Sequence, residues 1–302
     1  MPGISLSSDH QSWFQTKLLH LFWRVIGILP DRPYVRLKYL SLAGRLPNLD
    51  APRLFSEKVQ LRKLYDRNPL YPQMVDKHGA KALIAERAGP QYVVPTYWAG
   101  TDLSTIDWTT IPLPAVAKPT HASGFGAFLH NQSDIDALVA ANPASRWLAV
   151  RYHRFNREWA YGQFKPLVII EEMLIENGDA PDDFRFFVFD GRISHIEIRL
   201  RRNGKGYECN YTEDWQRMEF DTGYYESYHE PFPRPEQLPE MIEVVKKIAA
   251  DSDFMRVDLY VRGQDIFVGE LTLYPGGGFQ GCVADEYDEM LGGMWQQRLA
   301  RA

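Results

Sequence analysis

Met255-Arg256-Val257-Asp258-Leu259-Tyr260-Val261, then Arg262-Gly263-Gln264-Asp265, then Ile266-Phe267-Val268-Gly269-Glu270-Leu271-Thr272-Leu273: two apolar-rich runs flank a polar, glycine-containing turn. In the first run the odd positions are apolar, and Arg256, Asp258 and Tyr260 face the other way. In the second, Glu270 and Thr272 share one face while Leu271 and Leu273 take the opposite one. With a loop of three residues, Gly263 to Asp265, Asp258 stands directly across from Glu270. Two carboxylates so placed repel each other and weaken the sheet unless something positive lies between them. Hard oxygen ligands in that position suit Mg²⁺, which commonly takes one or two carboxylates and completes its shell with substrate phosphates. The plainer alternative is a solvated polar face with no ion.

Upstream lies a second hairpin, Phe184 to Phe189 and Ile193 to Leu200, joined at Asp190-Gly191. It opens on Asp182-Asp183-Phe184-Arg185. Its second strand puts His195, Glu197, Arg199 and Arg201 on one face, with Arg202 adding charge. Guanidinium forks match carboxylates, so this row can bind an anionic substrate; a solvated strand face is the alternative. Further back, an apolar strand at 167–170 runs into Glu171-Glu172-Met173-Leu174. Its edge can offer backbone groups and a carboxylate to a purine amine and a ribose hydroxyl, or can simply exit to solvent. Earlier still, Lys118 ends the short strand from Ala115, and the loop Pro119-Thr120-His121-Ala122-Ser123-Gly124-Phe125-Gly126 follows. Glycines let backbone N–H groups approach phosphate oxygens closely. This is not the phosphate loop with Gly-Lys-Ser/Thr, because the lysine precedes the glycines; a glycine-rich turn beside a surface lysine is the alternative.

Helices are expected over 55–66, over 75–88 with a stop near Gly89-Pro90, and over 236–250 after a proline-rich stretch. Val93, Val94 and Tyr97 suggest a short strand. Antiparallel hairpins with helices on one side make an α+β architecture. Residues 1–50 read as an N-terminal helical extension, 51–114 as an N-terminal α/β part, and 115–302 as a domain of two lobes. With 45% hydrophobic and 24% charged residues among 302, the chain can bury a sizeable core. Its net charge of −5 argues against nucleic acid as a partner. Two cysteines far apart, Cys209 and Cys282, show no metal-ligand spacing and suit a reduced, cytoplasmic setting. The apolar stretch 18–29 contains His20 and Arg24 and is short for a spanning helix; no signal-peptide cleavage site follows it. Residues 13–29 carry Trp13, Phe14, Phe22 and Trp23 beside Lys17 and Arg24. That composition suits peripheral contact with a membrane, and equally a helix packed against the rest of the protein.

Taken in order, the lysine and its glycine loop, the Glu171-Glu172 edge, the Asp183/Arg185 hairpin and the Asp258/Glu270 hairpin resemble the ATP-grasp superfamily. More closely the chain resembles the TupA-like ATP-grasp family. The matching stretches are Phe55-Ser56-Glu57-Lys58-Val59-Gln60, Leu64-Tyr65-Asp66-Arg67-Asn68-Pro69-Leu70, Val75-Asp76-Lys77, His121-Ala122-Ser123-Gly124, Pro181-Asp182-Asp183-Phe184-Arg185-Phe186-Phe187, Arg256-Val257-Asp258-Leu259-Tyr260 and Gly269-Glu270-Leu271-Thr272. The resemblance implies two α+β lobes that grip ATP between them. It implies that Lys118 holds the α- and β-phosphates and that Ser123, Gly124 and Gly126 close over them. Glu171, Glu172 and Leu174 would lie at adenine and ribose, and Asp183 beside the nucleotide. Asp258 and Glu270, with Thr272, would hold Mg²⁺. Arg256 would contact the γ-phosphate or an acyl phosphate and, with Lys118 and Arg185, would carry the catalysis. Two positions depart from the common superfamily pattern: Thr272 stands where many relatives have asparagine, and Arg185 where many have lysine.

The implied activity is ATP- and Mg²⁺-dependent. A carboxylate becomes an acyl phosphate, which an amine then attacks to give an amide. The implied substrates are a small-molecule or glycan carboxylate and an amino acid, in the making of cell-surface polymers. Strand alternation nominates His195, Arg199 and Arg201 as the wall that binds the acid. Three alternatives stand beside this: a glycosyltransferase of surface-polysaccharide synthesis, a non-catalytic ATP-binding module, and a kinase that stops at phosphoryl transfer.

Overall fold

The computed structural model describes residues 27–220, 222, 225–279 and 285–300. The chain divides into two compact units, 1–46 and 47–302. The first unit contains helix α1 (Asp31–Ala43), which Gly44 ends in the left-handed conformation at φ 69° with its N–H donating to Leu40 O. The segment proposed to touch a membrane falls, through residue 26, outside the described residues. Among the described residues no helix is long and apolar enough to cross a membrane.

The second unit opens with helices α2 (Phe55–Tyr65), α3 (Tyr71–Val75) and α4 (Gly79–Arg87). The helix expected over 75–88 is therefore interrupted at Asp76–His78. The reason is a competing partner: the Lys77 N–H donates to Thr120 O at 3.1 Å, which pulls the backbone out of the helical ladder. Strands β1 (Thr96–Gly100), β2 (Ala115–Pro119), β3 (Ala127–Leu129) and β4 (Val168–Glu172) form an antiparallel sheet in the order β1-β4-β2-β3. Ala115, Ala117, Leu129, Val168 and Ile170 bury one face of it with Ile135, Leu138 and Trp147. Alternation puts Lys118 and Glu171 on the other face. The crossover from β3 to β4 holds α5 (Gln132–Ala141) and two single-turn helices, α6 (Ala144–Leu148) and α7 (His153–Asn156).

The second sheet follows: β5 (Asp183–Phe189), β6 (Arg192–Arg202), β7 (Lys205–Tyr211), β8 (Arg217–Met218), β9 (Glu226–Ser227), then helix α8 (Leu238–Ile248), then β10 (Met255–Arg262) and β11 (Asp265–Thr272). Its order is β11-β10-β5-β6-β7-β8, with β9 added parallel to β7. Helix α8 buries Leu238, Met241, Val244, Val245 and Ile248 against β5 and β10. Phe184, Phe186, Ile196, Ile198, Val257 and Leu259 belong to the same buried cluster. The opposite face of the sheet is polar over several strands. Helix α9 (Asp285–Met294) packs on α2. The α+β class expected from the alternating runs is the observed one.

The C-terminal hairpin corrects one expectation. The turn is two residues, Gly263 at φ 60° and Gln264, with Arg262 paired to Asp265. Continued regularly, that register would set Asp258 against Gly269. An extra residue is absorbed between the Leu259–Val268 and Asp258–Glu270 pairs, so the two carboxylates still face each other. Gly269 is the bulged residue, and a Cβ there would run into the Tyr260 ring.

Candidate active site

On the first sheet, the Glu171 carboxylate is bracketed by two ammonium groups. Lys118 Nζ lies 2.5 Å from one oxygen and Lys81 Nζ, from α4, 2.7 Å from the other. Burial pushes the Glu171 carboxyl up, but Lys118 and Lys81 outweigh it and hold it below the usual range. Lys81 also donates to Val94 O and Thr96 Oγ1, which fixes it. Glu172, one residue on, reaches the second sheet and pairs with Arg262 at 2.5 Å. Leu174 is half-buried just past the strand. The loop after β2 is pinned at His121, whose Nε2 lies 2.8 Å from Val150 O, while Ser123, Gly124, Phe125 and Gly126 are exposed. Gly124 sits at φ 80°, a conformation side chains resist.

On the second sheet, cross-strand register lines up a row of charges. Glu270 faces Asp258, Asp258 faces Arg185, Arg185 faces Glu197, and Glu197 faces Asn210. Arg256 grips Asp258 through two bonds of 2.7 and 2.6 Å and also donates to Thr272 Oγ1 at 3.1 Å. Arg185 donates to Asp183 at 2.7 Å and lies 3.9 Å from Asp258. The Glu270 side chain makes no hydrogen bond or ion pair among the described residues. Burial raises its carboxyl, and the combined charges of Lys77, Arg256, Arg185 and Lys118 pull it below the usual range. Asp183 behaves oppositely. Burial first, then the Asp258 charge, push it up to about 6 despite Arg185.

Whether these groups fit a divalent cation is answered by their donor sets. Asp183 Oδ1 is buried with no partner among the described residues. Glu270 is likewise unengaged, and Asp258 has lone pairs beyond the two that Arg256 uses. No cluster of three or more His, Cys, Asp or Glu side chains among the described residues forms a self-contained cage. Two carboxylates and a hydroxyl, Asp258, Glu270 and Thr272, fit Mg²⁺, whose remaining ligands are water and phosphate oxygen.

Of the residues nominated for acid binding, Arg199 is half-buried, donates to Glu197 at 2.6 Å and sits over the Tyr225 ring at 4.5 Å. Arg201 is exposed. His195 lies apart from them. It is 0% exposed, stacked on Phe187 at 4.3 Å, and its Nε2 meets Tyr287 Oη at 3.1 Å. Burial lowers it to about 4, against the pull of Glu197, so it is neutral at pH 7 and offers no charge to an anion. Its alternation was read from the sequence; the cover from Phe220 and Tyr287 was not.

Reading site residues from the strands missed Lys77 and Lys81. Lys77 Nζ donates to Ala122 O at the root of the glycine loop, and its charge bears on both Glu270 and Lys118. Burial lowers its pKa, partly offset by Glu270. The signal in the sequence is the dipeptide Asp76-Lys77 among the matching stretches.

The polar faces of the two sheets and the α3–α4 segment thus contribute to one set of groups: Lys118 from the first sheet, Lys77 and Lys81 from the helical segment, and Arg185, Arg256, Asp258 and Glu270 from the second sheet. No curated protein matches the chain. Among solved structures, it is similar to D-alanine–D-alanine ligase from Bacillus anthracis at 14% identity, over 80% of this chain and 74% of that one, TM-score 0.47. It is also similar to the L-amino acid ligase from Bacillus licheniformis at 11% identity, over 95% and 62%, TM-score 0.45. The model of the TupA-like ATP-grasp family matches residues 57–296, and the chain belongs to that family.

Proposed function

We propose that the protein is an ATP- and Mg²⁺-dependent ligase that activates a carboxylate as an acyl phosphate and joins it to an amine. The observation that carries this is the facing pair Asp258 and Glu270, with four cationic side chains, Lys77, Arg256, Arg185 and Lys118, directing their charge onto Glu270. Phosphoryl transfer needs positioning and charge neutralisation more than a covalent group on the protein. When bound, ATP supplies the phosphoryl group, and Mg²⁺, held by Asp258 and Glu270 with Thr272, neutralises its charge. Lys118 from the first sheet and Lys77 from the break between α3 and α4 hold the phosphate chain. Arg256, oriented by Asp258, stabilises the charge that develops on the transferred group. Arg185 and Arg199, both oriented by Glu197, take the acid. The glycine loop, rooted at Lys77 and His121, shields the activated carboxylate from water. Glu171, placed by the resemblance at the nucleotide, acts here by positioning Lys118. The acid is a uronic acid or an acidic amino acid and the amine an amino acid, in cell-surface polymer synthesis. The need for ATP sets this reaction in the cytoplasm.

The test is ADP release from ATP and Mg²⁺ with panels of uronic acids and amino acids. Release that requires both an acid and an amine supports the reading. Release of AMP, or of a stable phosphate ester without an amine, refutes it.

A further inference from the structure

Beyond the Asp258 and Glu270 pair, the polar face of the second sheet carries two rows of side chains across β5, β6 and β7. One row runs Arg185, Glu197, Asn210; the other, two residues along, runs Asp183, Arg199, Glu208. Glu197, Glu208 and Asn210 are 0, 1 and 2% exposed. Glu197 Oε1 accepts from Arg199 Nε at 2.6 Å and lies 3.5 Å from Arg185 Nη1. Glu208 Oε1 accepts from the Thr222 N–H at 3.3 Å and from the Thr222 hydroxyl. The remaining oxygens, Glu197 Oε2, Glu208 Oε2 and Asn210 Oδ1, are buried with no hydrogen-bond partner among the described residues.

A buried acceptor without a donor costs free energy, and a carboxylate oxygen costs more than an amide oxygen. The three belong to one patch: Glu197 faces Asn210 across the β6–β7 ladder, and Glu208 is the next residue of β7 on the same face. Burial first, and the Glu197 charge with it, raise the Glu208 carboxyl against the pull of Thr222 and Arg199. The chemical complement of such a patch is a primary ammonium, which brings a positive charge and three N–H donors. A metal ion is a poorer match, since no three His, Cys, Asp or Glu side chains among the described residues cluster to hold one. Two residues before Glu197, on the same face, His195 is neutral at pH 7 and brings no positive charge. Phe220 and Tyr287, stacked at 4.8 Å, both meet its ring edge-on and keep that side of the patch apolar, where a charge-assisted bond is stronger. Glu208 and Asn210 also line, with Phe220, a cavity of about 240 Å³, which gives a ligand group its approach.

We propose that Glu197, Glu208 and Asn210 form an ammonium-binding subsite, so that the acid taken by Arg185 and Arg199 is an amino acid with its amino group free. Neighbouring strands stand about 4.8 Å apart. On the sheet the two arginines and the three acceptors occupy adjacent strands, β5 with β6 and β6 with β7. That is the reach of a molecule whose carboxylate and ammonium are a few bonds apart. A uronic acid satisfies the arginines and leaves the acceptors unmet. The activation of that acid rests on the ligase reading; the ammonium site itself does not.

The experiment is titration calorimetry on the full chain with matched probes, with and without Mg²⁺ and a non-hydrolysable ATP analogue. L- and D-glutamate are compared with glutarate, and L- and D-aspartate with succinate, which differ only in the amino group. In at least one pair the amino compound binds about tenfold more tightly or better, the scale of one hydrogen bond to a charged group. Glu208→Gln keeps an acceptor for Thr222 and removes the charge. It brings that ratio to about twofold or less, mostly by weakening the amino compound, and Asn210→Ala lowers the ratio in the same sense. A wild type that binds no amino compound better than its partner overturns the proposal. So does a variant that weakens both members of a pair equally, which marks a structural role. A preference that depends on Glu208 but supports no ADP release sustains the subsite and refutes the ligase. ADP release with glucuronate, or with glutarate as readily as with glutamate, indifferent to Glu208→Gln, sustains the ligase and refutes the subsite.

Discussion

Glu171→Gln removes one charge and little volume from the centre of the first sheet. In the wild type, two ammonium groups at 2.5 and 2.7 Å share this carboxylate. Breaking a buried pair by removing one partner costs roughly 3–5 kcal/mol. Here Lys118 and Lys81 keep 25% and 15% side-chain exposure and recover part of their hydration, so a loss of about 2 kcal/mol is expected. For a chain of 302 residues that lowers Tm by about 3 °C. The two lysines are then left without counter-charge, and a triphosphate supplies it. The rise in Tm on adding Mg²⁺ and ATP is therefore larger in Glu171→Gln than in the wild type. Lys81→Met in the same background relieves the repulsion, so the double variant loses less than the sum of the single ones. Differential scanning calorimetry with and without nucleotide measures all of these. An unchanged Tm without nucleotide refutes the charge bracket. A nucleotide-induced rise that vanishes in the variant means that Glu171 meets the nucleotide directly and not through Lys118.

Three further outcomes follow from the same physics. Arg62, 0% exposed, pairs with Asp253 and lies near Asp66 at 3.8 Å, so Arg62→Met strands two buried carboxylates and costs about 3–5 kcal/mol in urea unfolding; a loss below about 1 kcal/mol contradicts this. Gly269→Ala drives a methyl group into Tyr260 at the bulge that sets Asp258 against Glu270, and is expected to cost about 1–3 kcal/mol and to weaken Mg²⁺-dependent nucleotide binding; unaltered binding refutes the role of the bulge. His195 is depressed from 6.5 to about 4, so its contribution is intact above pH 6.5 and is lost as pH falls toward 4, by at most about 3 kcal/mol. His195→Leu flattens the stability profile over that window, and an unchanged slope there shows that another group titrates.

The fold was legible where one local pattern decided it. Alternation in 255–261 and 266–273 showed which face Asp258 and Glu270 occupy, because period-two side-chain placement needs no tertiary information. Register was less legible: a two-residue turn plus a bulge at Gly269 gives the same carboxylate pair as a three-residue turn without one. The helix over 75–88 broke because Lys77 N–H found Thr120 O, a partner 43 residues away that periodicity cannot see. For the site, Lys118 could be read from its strand and loop. Lys77 and Lys81 could not, since they belong to a different segment and converge only after folding. His195 shows the opposite limit: alternation assigns a side chain to a face but does not say what covers that face.

The central claim is that a substrate carboxylate takes the γ-phosphoryl group and loses it, with one of its own oxygens, when the amine attacks. The measurement is mass spectrometry of the phosphate released from ATP when the acid carries oxygen-18 in its carboxylate, for the wild type and for Glu270→Gln. The account predicts a single labelled oxygen in the released phosphate, unlabelled ADP, and loss of both products in the variant. Label in AMP, or phosphate without label at full turnover, would contradict it.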